Sequence, residues 1–287
     1  MTYWGLRLSM ETKELPNRIL IDGDIFAFRC SSAVQKDINW GDGLWTCHAY
    51  LDEAVDYLKV YTKTVFDALL NKIKIDLDNT KIIYCFSDPN GNNFRKIINP
   101  NYKYNRRTSR KPTCYNALVD YIKTNNINNY IFGDYLEGDD CISFLATENQ
   151  HKNTSLIISA DKDFNTVPNV YFYNINKDEL KFITIEDAYR NLLIQTLTGD
   201  TADNYCGCPS IGKIKATRLI NKEENPYRLW ELVENTFVAN GATKEDAMLN
   251  FTMAYLLHYS DVDINDEGRY CRVREANPTY EHFKIIL

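Results

Sequence analysis

Apolar, β-branched and aromatic residues run without polar alternation through positions 19–21, 82–86 and 156–158, and each run leads within three residues to an aspartate: Asp22, Asp88 after Ser87, and Asp161 after Ser159 and Ala160. Such runs read as strands covered on both faces of a parallel sheet. In open parallel sheets ligands bind beyond the carboxyl ends of the strands, so the three aspartates are expected along one edge.

Helical spacing covers residues 25–34 and about 48–75, the latter with Leu51, Val55, Leu58, Val65, Ala68 and Leu69 in register. Further helices are expected at about 113–124, 137–149 and 185–197, and strands at 130–132 and 170–173. The helix at 137 carries three acids in its first turn, where the positive end of the helix dipole favours them. Strands alternate with helices, which predicts an α/β class. The polar segment 89–112 is too long for a plain connection. Beyond residue 198 strands largely disappear, and helices are suggested at 212–221, 227–240 and 244–258. The expected division is a core at residues 1–195 and a helical lobe at 196–287, in which 261–287 has no assignable pattern.

A chain of 287 residues with 44% hydrophobic residues can bury one large core, or a core and a smaller lobe. Its net charge of −6 weighs against a nucleic-acid partner as an average, but acids concentrated in one site can coexist with a basic face elsewhere. Eight cysteines are scattered, with only Cys206 and Cys208 close together. A C-x-C pair alone is no zinc site, so reduced thiols and a cytoplasmic setting are expected. His48, His151, His258 and His282 share no spacing that suggests a site. Residues 1–17 contain Glu11 and Glu14 and no apolar run, and read as neither signal peptide nor anchor. No apolar stretch is long enough for a membrane span, and no internal repeat is visible. A serine hydrolase or P-loop ATPase would lack its defining motif.

Other acids accompany the strand-end aspartates: Asp24, Glu137, Asp139, Asp140, Asp163, Asp200 and Asp203. Two unit charges about 5 Å apart repel by roughly 3 kcal/mol at an effective dielectric near 20, so such a cluster needs counter-cations or retained protons. Oxygen-only donors select Mg²⁺ or Mn²⁺ over zinc. Asp22 and Asp24, like Asp161 and Asp163, are two residues apart and point to one side if the backbone is extended. An EF-hand loop fails at Phe26 in the first pair and at Thr166 and Phe172 in the second, while Asp266 and Arg272 spoil the run starting at Asp261. The rival reading, acids as solvated turn residues, would require the same accident at three strand ends.

Between Asp88 and Asp120 there is no acid, but there are Arg95, Lys96, Lys103, Arg106, Arg107, Arg110 and Lys111. A cationic strip beside an anionic site suits a phosphodiester held by metal and ammonium together. Phe94, Tyr102 and Tyr104 interleave and could stack on bases; the alternative is an ordinary solvated face. Residues 207–216 form a glycine-marked turn opening a helix, whose amides, reinforced by Lys213, Lys215 and Arg218, could hold phosphate. The plainer alternative is a simple helix connection.

Taken in order, Ile21 to Asp24, Ser87 and Asp88, Tyr102 to Arg106, Glu137 to Asp140, Ser159 to Asp163, Gly199 to Asn204, and Ser210 to Lys213 resemble the 5′-nuclease (flap endonuclease) superfamily over about residues 18–220. Residues 99–103 and 161–164 are similar to those of free-standing bacteriophage 5′→3′ exonucleases.

The resemblance implies a mostly parallel twisted sheet with helices on both faces, a PIN-like fold, and a helix-hairpin-helix lobe. It implies that two Mg²⁺ or Mn²⁺ ions are held by Asp22, Asp88, Glu137, Asp139, Asp140, Asp161, Asp163, Asp200 and Asp203. Asp22, Asp88, Asp139 and Asp161 would serve catalysis with Lys103 and Arg106, under an arch at 89–115. DNA would meet Arg95, Tyr102, Lys103, Arg106 and Arg107 at the arch, and Gly212, Lys213 and Lys215 at a hairpin that in several relatives binds K⁺. Gly138 in place of a usual alanine, Ser210 in place of a frequent glycine, and the unusual Cys206-Gly207-Cys208 depart from the pattern and bear on the potassium site.

The expected activity is metal-dependent 5′→3′ exonuclease action on duplex DNA, with 5′ flaps and the RNA of RNA:DNA hybrids as further substrates. No membrane role is expected. Replication proteins would act in trans, in the host cytoplasm for a phage enzyme. A PIN-like endoribonuclease, or a non-catalytic nucleic-acid binder with structural Ca²⁺, are the alternatives.

Overall fold

The computed structural model describes residues 15–126, 129–151 and 154–281; the reading of the N-terminal segment and His282 fall largely or wholly outside them. In chain order the elements are β1 (Arg18–Asp22), α1 (Gly23–Val34), β2 (Lys36–Gly41), β3 (Leu44–His48), α2 (Leu51–Leu70), β4 (Lys81–Phe86), α3 (Phe94–Ile98), α4 (Tyr115–Asn125), β5 (Tyr130–Asp134) and α5 (Gly138–Ala146). There follow β6 (Ser155–Ser159), β7 (Val170–Asn174), β8 (Glu179–Ile183), α6 (Ile185–Thr198), α7 (Lys213–Lys222), α8 (Leu229–Ala239), α9 (Lys244–Ala254), β9 (Val262–Ile264) and β10 (Tyr270–Arg272).

One sheet of eight strands runs in the order β8-β7-β6-β1-β4-β5-β10-β9. Its six inner strands pair in parallel, while β8 and β9 close the two edges antiparallel. The side-chain period of two explains the unbroken apolar runs. In β1, Ile19 and Ile21 pack on one face with Phe26 of α1, Leu58 of α2 and Leu118 of α4, whereas Leu20 packs on the other with Phe144 of α5 and Leu192 of α6. β6 repeats this, with Leu156 and Ile158 on the first face and Ile157 on the second. Both faces are covered, as the α/β class requires.

Several expectations are corrected. The helix expected from about 48 begins at Leu51, because residues 36–48 form the exposed β2–β3 hairpin. The boundary expected near 195 falls inside α6. Phe237 and Phe251 from α8 and α9 share a core with Phe172 of the sheet, which these helices reach by packing on α6 and on each other. Residues 262–272, given to the helical lobe or left unassigned, return to the sheet as β9 and β10. Among the described residues no helix is long and apolar enough to cross a membrane.

Candidate active site

Strand order reverses at β1, whose successors lie on one side as β4 and β5 and on the other as β6 and β7. A crevice at such a reversal is where open sheets bind ligands. At this point Asp22 ends β1 and caps α1, its Oδ1 accepting the Ile25 amide at 3.0 Å. Its Oδ2 accepts the Ser159 hydroxyl from β6 at 2.6 Å. Ser159 Oγ in turn accepts the Asp161 amide at 3.0 Å, and Asp161 Oδ1 the Asp163 amide at 2.9 Å. Adjacent strands thus fix three of the acids.

Asp139 enters from the first turn of α5. Burial, then the charges of Asp22 and Asp161, push its carboxyl well above the usual range. Burial, with Asp24 and Asp161 adding to it, likewise raises Asp22 to about 7 despite the Ser159 hydrogen bond. Among the described residues no ion pair reaches Asp22, Asp139 or Asp161.

The neighbouring acids are neutralised internally. Lys103 Nζ donates to Glu137 and lies 3.7 Å from Asp203 Oδ2, and Arg106 Nη2 donates to Asp203 Oδ1 at 2.8 Å. Burial opposes charge on Glu137, but Lys103 and Arg95 outweigh it and hold the carboxyl down at about 2. Lys162 joins Asp163 and Asp200, at 3.2 and 2.6 Å. The segment after α3 is stitched to the turn after α6: the Lys103 amide donates to the Asp203 carbonyl at 2.8 Å, and Asn204 Nδ2 to that of Asn101 at 2.7 Å.

Other expected site residues stand elsewhere. Asp140 is fully buried and takes Nη1 and Nη2 of Arg95 at 2.7 and 2.8 Å, so its oxygens face the core. Arg95 itself is 1% exposed and cannot meet DNA there. Its remaining donors go to Glu137 Oε2 at 3.4 Å and to the carbonyls of Met253 and Tyr255 at 3.2 and 2.5 Å. Phe94 and Tyr102 are buried too, with the Tyr102 hydroxyl 2.9 Å from Glu137 Oε2 and from Asp203 Oδ2, so neither ring can stack on a base. Asp88 accepts the amides of Asn90 and Tyr135 at 2.7 and 2.9 Å, away from the Asp22 group's bonds. Asp24 ties three elements together, accepting the Ser87 amide and hydroxyl at 2.8 and 2.6 Å and the Tyr115 hydroxyl at 2.7 Å. Arg106, Arg107, Arg110 and Lys111 remain exposed, with Arg107 stacked 3.9 Å over the Tyr104 ring.

Gly212 caps α7, and Lys213 and Lys215 are exposed beside it. The turn leading there depends on a backbone crossing. A Cβ on Gly199 would lie 2.4 Å from Gly207 N, and one on Gly207 would lie 2.3 Å from Gly199 N, at φ +64° and +71°.

No three acids, histidines or cysteines converge in ligand geometry among the described residues. Lys103 and Lys162 instead hold oxygens of Glu137, Asp163 and Asp200. The donor chemistry nevertheless fits a hard divalent ion, since Asp22 and Asp139 are raised by burial and by neighbouring acids, and a cation would relieve both effects. Sequence reasoning overlooked Ser159 and Lys162, although both lie within the motif that ends β6.

The family model described as 5′-3′ exonuclease, N-terminal resolvase-like domain, matches residues 17–191. An exonuclease of Escherichia phage T7 is 26% identical over 93% of this chain and 96% of its own length. An exodeoxyribonuclease of Enterobacteria phage T3 is 30% identical, over 93% and 95%. Among solved structures, the T5 D15 protein co-crystallised with metal ions superposes with a TM-score of 0.55 at 16% identity, covering 84% of this chain and 89% of that one. The bacteriophage T5 D15 flap endonuclease in a product complex with DNA and metal ions gives 0.54 at 15%, over 84% and 89%. At that identity the structural likeness speaks to the fold.

Proposed function

The chain belongs to the 5′-3′ exonuclease family and is a 5′-3′ nuclease acting on DNA; from that premise we propose a metal-dependent exonuclease whose reacting phosphodiester sits at the Asp22–Asp139–Asp161 crevice. The observation that carries this is the group of carboxylates at the strand-order reversal, Asp22 buried and Asp139 and Asp161 half-buried, without ion-pair partners among the described residues and bordered by Lys103 and Arg106. Asp22, Asp139 and Asp161 would hold the ions, with Asp163, Asp200, Glu137 and Asp203 completing places for two Mg²⁺ or Mn²⁺. When bound, such ions supply an activated water and neutralise charge on the phosphoryl group. Asp88, whose two oxygens each accept one amide, would contribute through their remaining lone pairs.

The protein's own groups then have distinct tasks. Lys103 and Arg106 lie at the mouth, where an exchange of Glu137 and Asp203 for phosphate oxygens would orient the scissile bond and stabilise developing charge. Exposed Arg107 and Arg110 extend this surface along the arch. We take α6, the turn at 199–212 and α7 as a helix-hairpin-helix clamp, with the first amides of α7, Lys213 and Lys215 gripping the duplex backbone. A K⁺ ion there would share the Ser210 carbonyl with Lys215 Nζ, which donates to it at 3.1 Å. The phage origin of two relatives supports work in the host cytoplasm; replication proteins would act in trans.

The test is a panel of blunt, nicked, flapped and RNA-primed duplexes labelled at either end, with Mg²⁺ supplied or chelated. Mononucleotides should appear from 5′ ends only when Mg²⁺ is present. Asp139→Asn and Asp161→Asn should each lower turnover by roughly a thousandfold, as loss of charge stabilisation at a reacting centre does, while binding DNA in Ca²⁺. Normal Mg²⁺-dependent turnover in either variant would refute the assignment.

A further inference from the structure

Lys162 lies between two aspartates that themselves belong to the acid set, and its side chain touches a carboxylate from a different part of the chain. Its Nζ donates to Asp200 Oδ2 at 2.6 Å and to Asp163 Oδ1 at 3.2 Å. Asp163 follows β6, and Asp200 follows α6, so one ammonium bridges the sheet edge to the turn that begins the proposed clamp. The other Asp200 oxygen is fixed by the Ala202 amide at 2.7 Å, which leaves the bridging oxygen aimed at the lysine. The Lys162 side chain is 60% exposed, against 17% for Lys103. It can therefore swing into water while its two carboxylates, 18% and 12% exposed, stay in place.

We propose that Lys162 is an internal counter-ion that a divalent cation must displace from Asp163 and Asp200. This rests on the reading that these carboxylates hold metal. An ammonium carries one charge on a flexible stem, whereas a divalent ion offers two charges and a preference for several oxygens at once. Exposed ion pairs are weak, so the bridge yields when the ion arrives and re-forms when it leaves. Lys162 burdens only the ion that takes Asp163 and Asp200, because Asp22, Asp139 and Asp161 carry no ion pair among the described residues and the pairs of Lys103 and Arg106 with Glu137 and Asp203 do not involve it. Divalent ions should accordingly load in two unequal steps, the first at the uncompensated carboxylates and the second against Lys162.

The experiment measures Mn²⁺ binding to the full chain without DNA, by calorimetry and by the free-ion electron paramagnetic resonance signal. It compares the natural protein with Lys162→Gln and Lys162→Arg. A bridge formed in about nine molecules of ten weakens the apparent affinity about tenfold, so Lys162→Gln should tighten the weaker Kd about tenfold and leave the tighter one unchanged. Lys162→Arg, which keeps the charge, should stay within about threefold of the natural protein. In chelator, Lys162→Gln should melt below the natural protein, and saturating Mn²⁺ should remove the difference; a merely structural lysine would lower both. A weaker Kd that is unchanged or raised in Lys162→Gln overturns the lysine's role while the metal reading stands. No Mn²⁺ uptake by the natural protein overturns both.

Discussion

A guanidinium that leaves water needs an acceptor for each of its five N–H groups, and Arg95 finds them in Asp140, Glu137, Met253 and Tyr255. Removing the cation would strand Asp140 in the core, so Arg95→Ala should cost about 3–5 kcal/mol in denaturant unfolding, the scale for breaking a buried pair. Were Arg95 a DNA contact, the loss would appear in affinity with stability intact. Its neighbours Lys103 and Arg106 look no different in the sequence. What separates them is burial, which composition does not carry, and so Arg95, Tyr102 and Asp140 were misplaced while Asp22 and Asp161 were legible from their strands. Titration distinguishes the acids further. Asp22 is raised from 3.8 to about 7, so without metal the folded state keeps a proton that the unfolded chain has released. Its stabilising share is complete below the unfolded value and is lost as pH rises through the folded one. Glu137 is lowered from 4.5 to about 2 and acts oppositely, supporting the fold above 4.5 and losing that support as pH falls towards 2. In chelator the melting temperature should thus fall between about pH 5 and 7, and Asp22→Asn should flatten that slope; a rising profile would contradict the assignment.

Elements were readable where both of their faces are covered, since β1, β4 and β6 then show apolar runs that no amphipathic helix would produce. The β2–β3 hairpin escaped because its residues are exposed and carry no burial signal. Its turn did leave a mark: Asp42 and Gly43 both have positive φ, 48° and 78°, the backbone that an Asp-Gly pair adopts in a two-residue hairpin. The strands β9 and β10 are three residues each; β10 takes β5 as its partner and β9 joins the sheet only through β10, which local pattern cannot report. The turn after α6 offers a sharper test. Gly199 and Gly207 cross within what would be Cβ distance, and both have positive φ. Gly199→Ala or Gly207→Ala should destabilise by about 3 kcal/mol or more, combining steric overlap with backbone strain, and should abolish the α7 contribution to DNA binding. Thermal melts and binding isotherms that match the natural protein would show that the crossing can relax.

At the scale of the whole molecule, a net charge of −6 coexists with an exposed basic segment at 106–111 and a lysine-bearing α7, because charge of each sign is grouped locally and not spread evenly. The average therefore misleads about DNA, while the order of the motifs did not. Two basic regions should separate in kinetics. Lys103→Ala should reduce kcat more than affinity, whereas Lys215→Ala should weaken DNA binding and shallow the plot of log affinity against log salt by about one unit. The reverse ranking would exchange arch and clamp. The division near residue 195 failed for a related reason, that the late helices share the sheet's core. Arg95 takes its last acceptors from Met253 and Tyr255. Cutting the chain before residue 253 would strip the guanidinium of both carbonyls while Asp140 and Glu137 stayed beside it, so a late truncation would unsettle the wall of the crevice instead of trimming a detachable appendage.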